Sequence, residues 1–504
     1  MSAQIHPQIH GNIESFEFCE SELVIGLVYA VGTNYKPVQD YIEATLGKFE
    51  YRPHSIRISD LISGLTKEPL LDDSEINRIS SRMTAGNNAC RSSGRRDIWA
   101  LAAIAEINKL RGADVAQQTS CPRTAHLIFS LKRPEEVTTL RKVYGDGFFL
   151  IGVFATEKER LDSLIEKNAP KLDAIQLIKR DEEELADEYG QQTRETFQLA
   201  DVFVQLKRGA YQEELSRFLS LVFSDPYVTP TQQEHAMFLA YASSLRSGQL
   251  GRQVGAAITS KSGDVLAVGC NDVPKPGGGL YWPGRHDNRD GVLGIDTNDQ
   301  QRDLIVNKLI GKLPQDLAQG DVSALKKSFR TVLDITEYGR AVHAEMDALL
   351  TCARSGVSPT GGILYTTTFP CHNCTRHIVA AGIERVIYIE PYAKSRAEEL
   401  HDDAILVEEK ALRPNRSAKW RVPFTHFVGI GPRRYFDLFS LNLSSGHELV
   451  RKGDGRKLAL NIPQAWPRIP LSHFTYIQRE ILAIEDLDIL PKQLDMFPTK
   501  EGES

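Results

Sequence analysis

Val342-His343-Ala344-Glu345 and, 371 − 343 = 28 positions further on, Pro370-Cys371-His372-Asn373-Cys374 decide how the second half of this chain is read. One imidazole and two thiolates hold Zn²⁺ tetrahedrally and leave the fourth position to water, the open arrangement of a catalytic zinc. A helix beginning near His343 puts Glu345 in its first turn, able to approach that water without being a ligand. Cys371 and Cys374, three apart, can face one ion from a single helical turn. The strand-like run Ile363 to Thr367 before Pro370 completes the unit. A closed zinc knuckle needs a fourth strong ligand such as His372 or His377, and a redox Cys-x-x-Cys leaves His343 and Glu345 without a task. His372 and His377 read as packing or supporting groups.

His-x-Glu followed by Pro-Cys-x-x-Cys is the established signature of zinc nucleobase deaminases. In that chemistry the metal makes hydroxide accessible at neutral pH. Glu345 takes the proton of the attacking water, delivers it to the ring nitrogen and assists loss of ammonia from C4.

Upstream, Gly255 to Ile258 and Val265 to Gly269 read as two strands joined by the turn Ser260 to Asp264. The segments Arg252-Gln253-Val254-Gly255-Ala256-Ala257-Ile258 and Gly269-Cys270-Asn271-Asp272-Val273-Pro274, then the zinc motifs, resemble the CMP/dCMP deaminase family in order and spacing. The resemblance implies a three-layer α/β/α cytidine-deaminase-like domain and an Asn271 that contacts the nucleotide near sugar and base. From the residues alone Asn271 is equally a turn former, Arg252 a phosphate ligand or a surface charge, and Tyr392 a lid over base or phosphate or a packing group. His343 follows Asn271 by 343 − 271 = 72 positions, more than simple deaminases need. The 275–338 insertion, with Gly277 to Gly294 and a helix-like Asp303 to Leu313, is read as a lid, an oligomer contact or a regulatory site.

The first half alternates buried-strand and helix signatures. Leu23 to Val31 is strand-like, Gly32-Thr33-Asn34 a turn, and Val38, Tyr41, Ile42 and Leu46 recur at helical spacing behind Pro37. Ile98 to Leu110 and Pro134 to Tyr144 read as helices, and Ala125 to Leu131, Phe148 to Phe154 and Ala200 to Leu206 as strands, which predicts a parallel sheet with flanking helices. Gly26 to Thr33 stands where a phosphate-binding loop would be. The P-loop pattern does not fit, because five residues separate Gly26 from Gly32 and Thr33 replaces the lysine. Backbone amides there can still hold a nucleotide phosphate, so Gly26, Gly32 and Thr33 are the candidate residues, against an ordinary strand-to-helix turn. The acidic run Asp181 to Glu188 reads as a solvated face or a lid.

With 504 residues, 41% hydrophobic and 25% charged, the chain has material for several domains. The division expected is a tail (1–20), an N-terminal P-loop kinase-like domain (21–225), a deaminase domain (226–435) and an extension (436–504) whose helix-like Tyr476 to Ile484 carries no recognisable chemistry. A net charge of -6 offers no global attraction for polynucleotides or anionic lipid. Seven sparse cysteines, and no apolar run long enough to span a membrane, point to a reduced, cytoplasmic protein.

A kinase-like half joined to a dCMP-type deaminase resembles the bacterial anti-phage dCTP deaminases over about residues 20 to 435. That resemblance implies conversion of dCTP, and of dCMP, to deoxyuridine nucleotides, draining the pool a phage needs. It further implies Zn²⁺ as cofactor, ATP or another nucleotide at the first domain, a homo-oligomer, and repression by an RNA or other cellular factor. Two alternatives stay open: a housekeeping dCMP deaminase for thymidylate synthesis, and a nucleotide-sensing regulator with a silent zinc site.

Overall fold

The computed structural model describes residues 20–66, 68–112, 119–182, 184, 187–206, 210–312, 329, 338–391, 395–407, 420–443, 448–460, 462, 465–471 and 473–489. By contact it divides into two units, one built from 20–234 and 427–489, the other from 235–407 and 420–426.

In the first unit β1 (Leu23–Tyr29), β2 (Arg52–Arg57), β3 (Thr124–Phe129), β4 (Phe148–Phe154) and β5 (Val202–Gln205) form a parallel sheet in the order β5-β4-β1-β3-β2. Every residue of β1 is buried, as an all-apolar strand covered by helices on both faces must be. β2 carries Arg52, Pro53 and His54 in an edge strand, the place where a proline costs no ladder bond. The two-residue strand Gly429–Ile430 adds antiparallel to β5.

The expected division at 226, 435 and 436 is therefore displaced. The chain returns to the first unit at 427, and the helix His473–Ile489 packs on the helix Ile98–Lys109. A fully buried ion network joins them. Arg111 donates to both oxygens of Glu22 at 3.0 and 2.9 Å and of Glu480 at 2.7 and 2.9 Å. His126 and Tyr476 also meet Glu22. Burial alone raises the Glu22 carboxyl, but hydrogen bonds from His126 and Arg111 outweigh it and hold the pKa at about 2.

In the second unit β6 (Gly255–Thr259), β7 (Val265–Cys270), β8 (Ile363–Thr368), β9 (Arg385–Glu390), β10 (Ile405–Val407) and β11 (Val422–His426) lie in the order β10-β11-β9-β8-β6-β7. β6 is antiparallel to both neighbours and the rest are parallel. Two glycines show where the helices lie. Gly255 and Gly269 fall on adjacent rungs of the β6–β7 ladder, so their missing side chains would point to opposite faces. A Cβ on Gly255 would strike the Ala240 carbonyl in the helix Gln232–Ser244 at 1.8 Å. One on Gly269 would meet Ala344 O and Ala348 N in the helix Ala344–Ser355, both at 2.4 Å. A helix thus presses on each face, giving three layers. Among the described residues no helix is long and apolar enough to cross a membrane.

Gly269→Ala is expected to destabilise by about 1–3 kcal/mol and to weaken metal binding, since the helix start must shift. Gly251→Ala, where a Cβ meets nothing within 4 Å, serves as the neutral control in the same urea unfolding. Arg111→Leu, which leaves buried carboxylates uncompensated, is expected to cost about 3–5 kcal/mol. Glu22 stays ionised in the native state down to about pH 2 but takes a proton near 4.5 when unfolded. Its stabilisation is therefore complete above pH 4.5 and is lost as the pH falls from there through 2; acid titration of Glu22→Gln should show a flatter slope over that window.

Candidate active site and metal centre

β7 ends at Cys270, and the next two residues position the site. Asp272 exchanges backbone hydrogen bonds with Val342, at 3.3 and 3.0 Å, which sets His343 next to the strand end as N-cap of the helix Ala344–Ser355. Asp347 in that helix accepts from the Cys270 amide at 3.3 Å, a second tie to β7. Across the sheet, β8 runs through Phe369 and Pro370 into Cys371, the N-cap of the helix His372–Ala380, whose Sγ accepts from the Cys374 amide at 3.4 Å. Two helix N-termini converge, and their positive ends favour thiolates.

His343 Nδ1 lies 3.4 Å from the Sγ of both Cys371 and Cys374. A tetrahedral zinc at about 2.3 Å from sulfur and about 2.0 Å from nitrogen requires N···S separations near 3.5 Å, so the donors stand where the ion needs them. Hydrogen bonding from Cys374 lowers the Cys371 thiol to about 4, and the same bond, with burial, pushes Cys374 well above the ordinary thiol value. Two thiols sharing one proton become two thiolates beside a divalent cation. Among the described residues these three side chains form the metal-competent cluster; His372 and His377 are not in it, and His377 faces solvent.

Glu345 is 4% exposed and accepts from Cys374 Sγ at 3.6 Å. Burial raises its carboxyl above the usual range, with His343 opposing and Cys371 reinforcing. It forms part of a cleft of about 160 Å³ lined also by Arg252, Asn271, His343, Thr368, Phe369 and Cys371.

Asn271 clamps the approach to β6: Oδ1 accepts from the Val254 amide at 2.7 Å and Nδ2 donates to the Arg252 carbonyl at 2.7 Å. One amide hydrogen and one lone pair stay available to the cleft. Arg252 is half exposed and paired with Glu390, which also accepts from Thr368 at 3.1 Å. The sequence reading missed Glu390, Thr368 and Phe369; an aromatic directly before Pro-Cys was the available signal for the last. Tyr392 and most of 313–337 lie outside the described residues. In the first unit Gly26 sits inside β1, closed off by Leu131 and Phe148, whereas Gly32 and Thr33 line a separate cavity.

Residues 230–390 match the model of the cytidine and deoxycytidylate deaminase zinc-binding region. The deoxycytidylate deaminase of Enterobacteria phage T2 is 31% identical over 160 residues, which is 31% of this chain and 79% of that protein. The ComE operon protein 2 of Bacillus subtilis (strain 168) is 41% identical over 75 residues, 14% of this chain and 40% of that one. The apo structure of dCMP deaminase from the cyanophage S-TIM5 aligns at 18% identity and a TM-score of 0.22, covering 39% of this chain and 98% of that one. The converging helix starts and the phage T2 relative lead to one assignment: the chain belongs to the cytidine and deoxycytidylate deaminase family and is a zinc-dependent hydrolase of that type.

Proposed function

We propose that the second unit hydrolyses the 4-amino group of deoxycytidine nucleotides, dCTP as well as dCMP, and that the chain thereby drains the dCTP pool in defence against phage. The observation that carries the chemistry is Glu345, buried beside His343, Cys371 and Cys374 and open to the cleft.

His343, Cys371 and Cys374 would hold Zn²⁺, which when bound would acidify a water toward about pKa 7. Glu345 would accept a proton from the attacking water as that oxygen bonds to C4, and pass the proton to the ring N3. It then carries the proton of the new C4 hydroxyl to the amino nitrogen; the C4–N bond breaks, its electron pair leaves with ammonia, and C4 becomes the carbonyl of the uracil ring. A carboxylate whose proton affinity is raised by burial is the stronger base toward the attacking water, which suits this shuttling. Asn271 reads the sugar or base through its remaining donor and acceptor. Arg252, at the cleft, offers a guanidinium to phosphate in exchange for Glu390.

The cleft suits one nucleotide, and the net charge of -6 disfavours a polynucleotide substrate. A kinase-like first unit is supported by β1 running into the Gly32 turn and the helix Lys36–Lys48. A unit of that size is unneeded for dCMP deamination alone, which favours defence. The housekeeping reading has its own support: relatives from phage T2, phage T4 and Homo sapiens are named deoxycytidylate deaminases.

The zinc-loaded full chain is expected to form dUTP from dCTP and dUMP from dCMP, with CTP and single-stranded DNA poor substrates. Glu345→Gln should lower kcat at least 10²-fold, in the range of about 10²–10⁴ for a lost general acid–base group, while retaining zinc. Cys371→Ser should lose both zinc and activity by metal analysis and product chromatography. Product from dCMP alone would favour the housekeeping enzyme, and product from DNA alone would contradict the proposal.

A further inference from the structure

The first unit contains a cavity of about 170 Å³ at the carboxyl ends of β1 and β3, open on one side. In parallel sheets of this kind ligands bind outside the carboxyl ends of the strands. Six cationic side chains and three carboxylates line it, a surplus of 6 − 3 = 3 positive charges in a chain whose net charge is -6. Its other wall is apolar and aromatic. Tyr29 and Tyr35 stack at 4.5 Å, Tyr35 leans on Phe129 at 5.8 Å, and Ile62 and Met83 extend the surface.

Among the described residues, Thr33 Oγ1, on a residue 8% exposed, and Arg57 Nε are buried there without a hydrogen-bond partner. Arg57 makes no ion pair among the described residues; its Nη2 donates to Gln39 at 3.3 Å. Arg78 and Arg82, one turn apart on the helix Glu75–Ser93, pair with Glu75 and with Asp72 at the surface. Such unsatisfied groups point to a ligand with acceptors.

The turn after β1 is already engaged. Asp181, expected on a solvated face, is fully buried. Its Oδ2 accepts from the Val31 amide at 2.8 Å and its Oδ1 lies 2.8 Å from Lys132 Nζ, which also donates to Tyr29 O at 2.6 Å. A Cβ on Gly32 would meet Arg160 O at 2.5 Å. The protein's own carboxylate thus takes the amide and the lysine that a phosphate would seek in this turn.

We propose that this cavity binds a nucleoside phosphate, with Arg57, Arg78 and Arg82 meeting the phosphates and the Tyr29–Tyr35–Phe129 wall meeting the base, and that it transfers no phosphoryl group. Thr33 donates its hydroxyl to the ligand. Transfer is absent because Asp181 engages both the lysine of the site and the Val31 amide, so neither is free to stabilise a transferring phosphoryl at the turn.

The test is calorimetric titration of the zinc-loaded full chain with dATP, dGTP, dTTP, ATP, AMP, adenosine and inorganic tripolyphosphate. At least one nucleotide should bind more tightly than both adenosine and tripolyphosphate. Its Kd should rise at least ten-fold in Arg57→Gln and in Arg82→Gln and stay unchanged in Glu345→Gln, with no ADP formed from ATP. Arg82 pairs at the surface, so its variant keeps the test informative should Arg57→Gln unfold. Unchanged affinity in both arginine variants, tripolyphosphate binding as tightly as any nucleotide, or ADP formation would overturn the proposal. None of these outcomes depends on deamination.

Discussion

The close seating of the helix Ala344–Ser355 on β7 is the constraint on which the catalytic unit depends. It needs a residue without a side chain at Gly269, where the helix backbone comes within 2.4 Å of a Cβ position. The Asp272–Val342 bridge and the Asp347–Cys270 hydrogen bond then fix the helix start along the strand. From that placement the remaining geometry follows. His343 caps the helix beside the cysteines, and Glu345, two residues on, is carried under the same cleft. The metal donors are thus held by backbone elements on both sides, and the proton-carrying carboxylate by the same helix as one of them.

The first unit uses its charges differently. Around Arg111 they are paired and sealed, tying the C-terminal helix to the start of the first strand of the sheet, with 480 − 22 = 458 positions between the two carboxylates. At the carboxyl ends of β1 and β3 they face a cavity and exceed their counter-charges. One cluster is built for rigidity and the other for a ligand, though both lie in the same α/β unit.

What was legible in the sequence was what chemistry and periodicity write locally. His343, Cys371 and Cys374 announced a metal centre, with Glu345 beside it, because few other tasks require those donors at that spacing, and the helix Pro134–Tyr144 and β4 appear over the spans their patterns mark. β2 was missed because an edge strand reading Arg-Pro-His-Ser-Ile-Arg lacks the apolar run of its buried neighbours. The return of residues 427–489 to the first unit was invisible for another reason: pairing across hundreds of positions leaves no local pattern. Gly26 was read as part of a phosphate loop, yet its role is packing within β1, since the strand continues to Tyr29. Asp181, read as part of a solvated acidic face, is buried because it finds an amide and a lysine to pair with, while Glu188 at the other end of the run is exposed.

The central claim is a three-donor zinc site whose fourth position belongs to water, and zinc-edge X-ray absorption on the full chain tests it most directly. The account predicts two sulfur scatterers at about 2.3 Å and two nitrogen or oxygen scatterers at about 2.0 Å. That set should be unchanged in His372→Ala and His377→Ala and altered in His343→Ala. Loss of a light scatterer on removing His372 or His377 would mean a closed, four-ligand structural zinc and would contradict the catalytic reading.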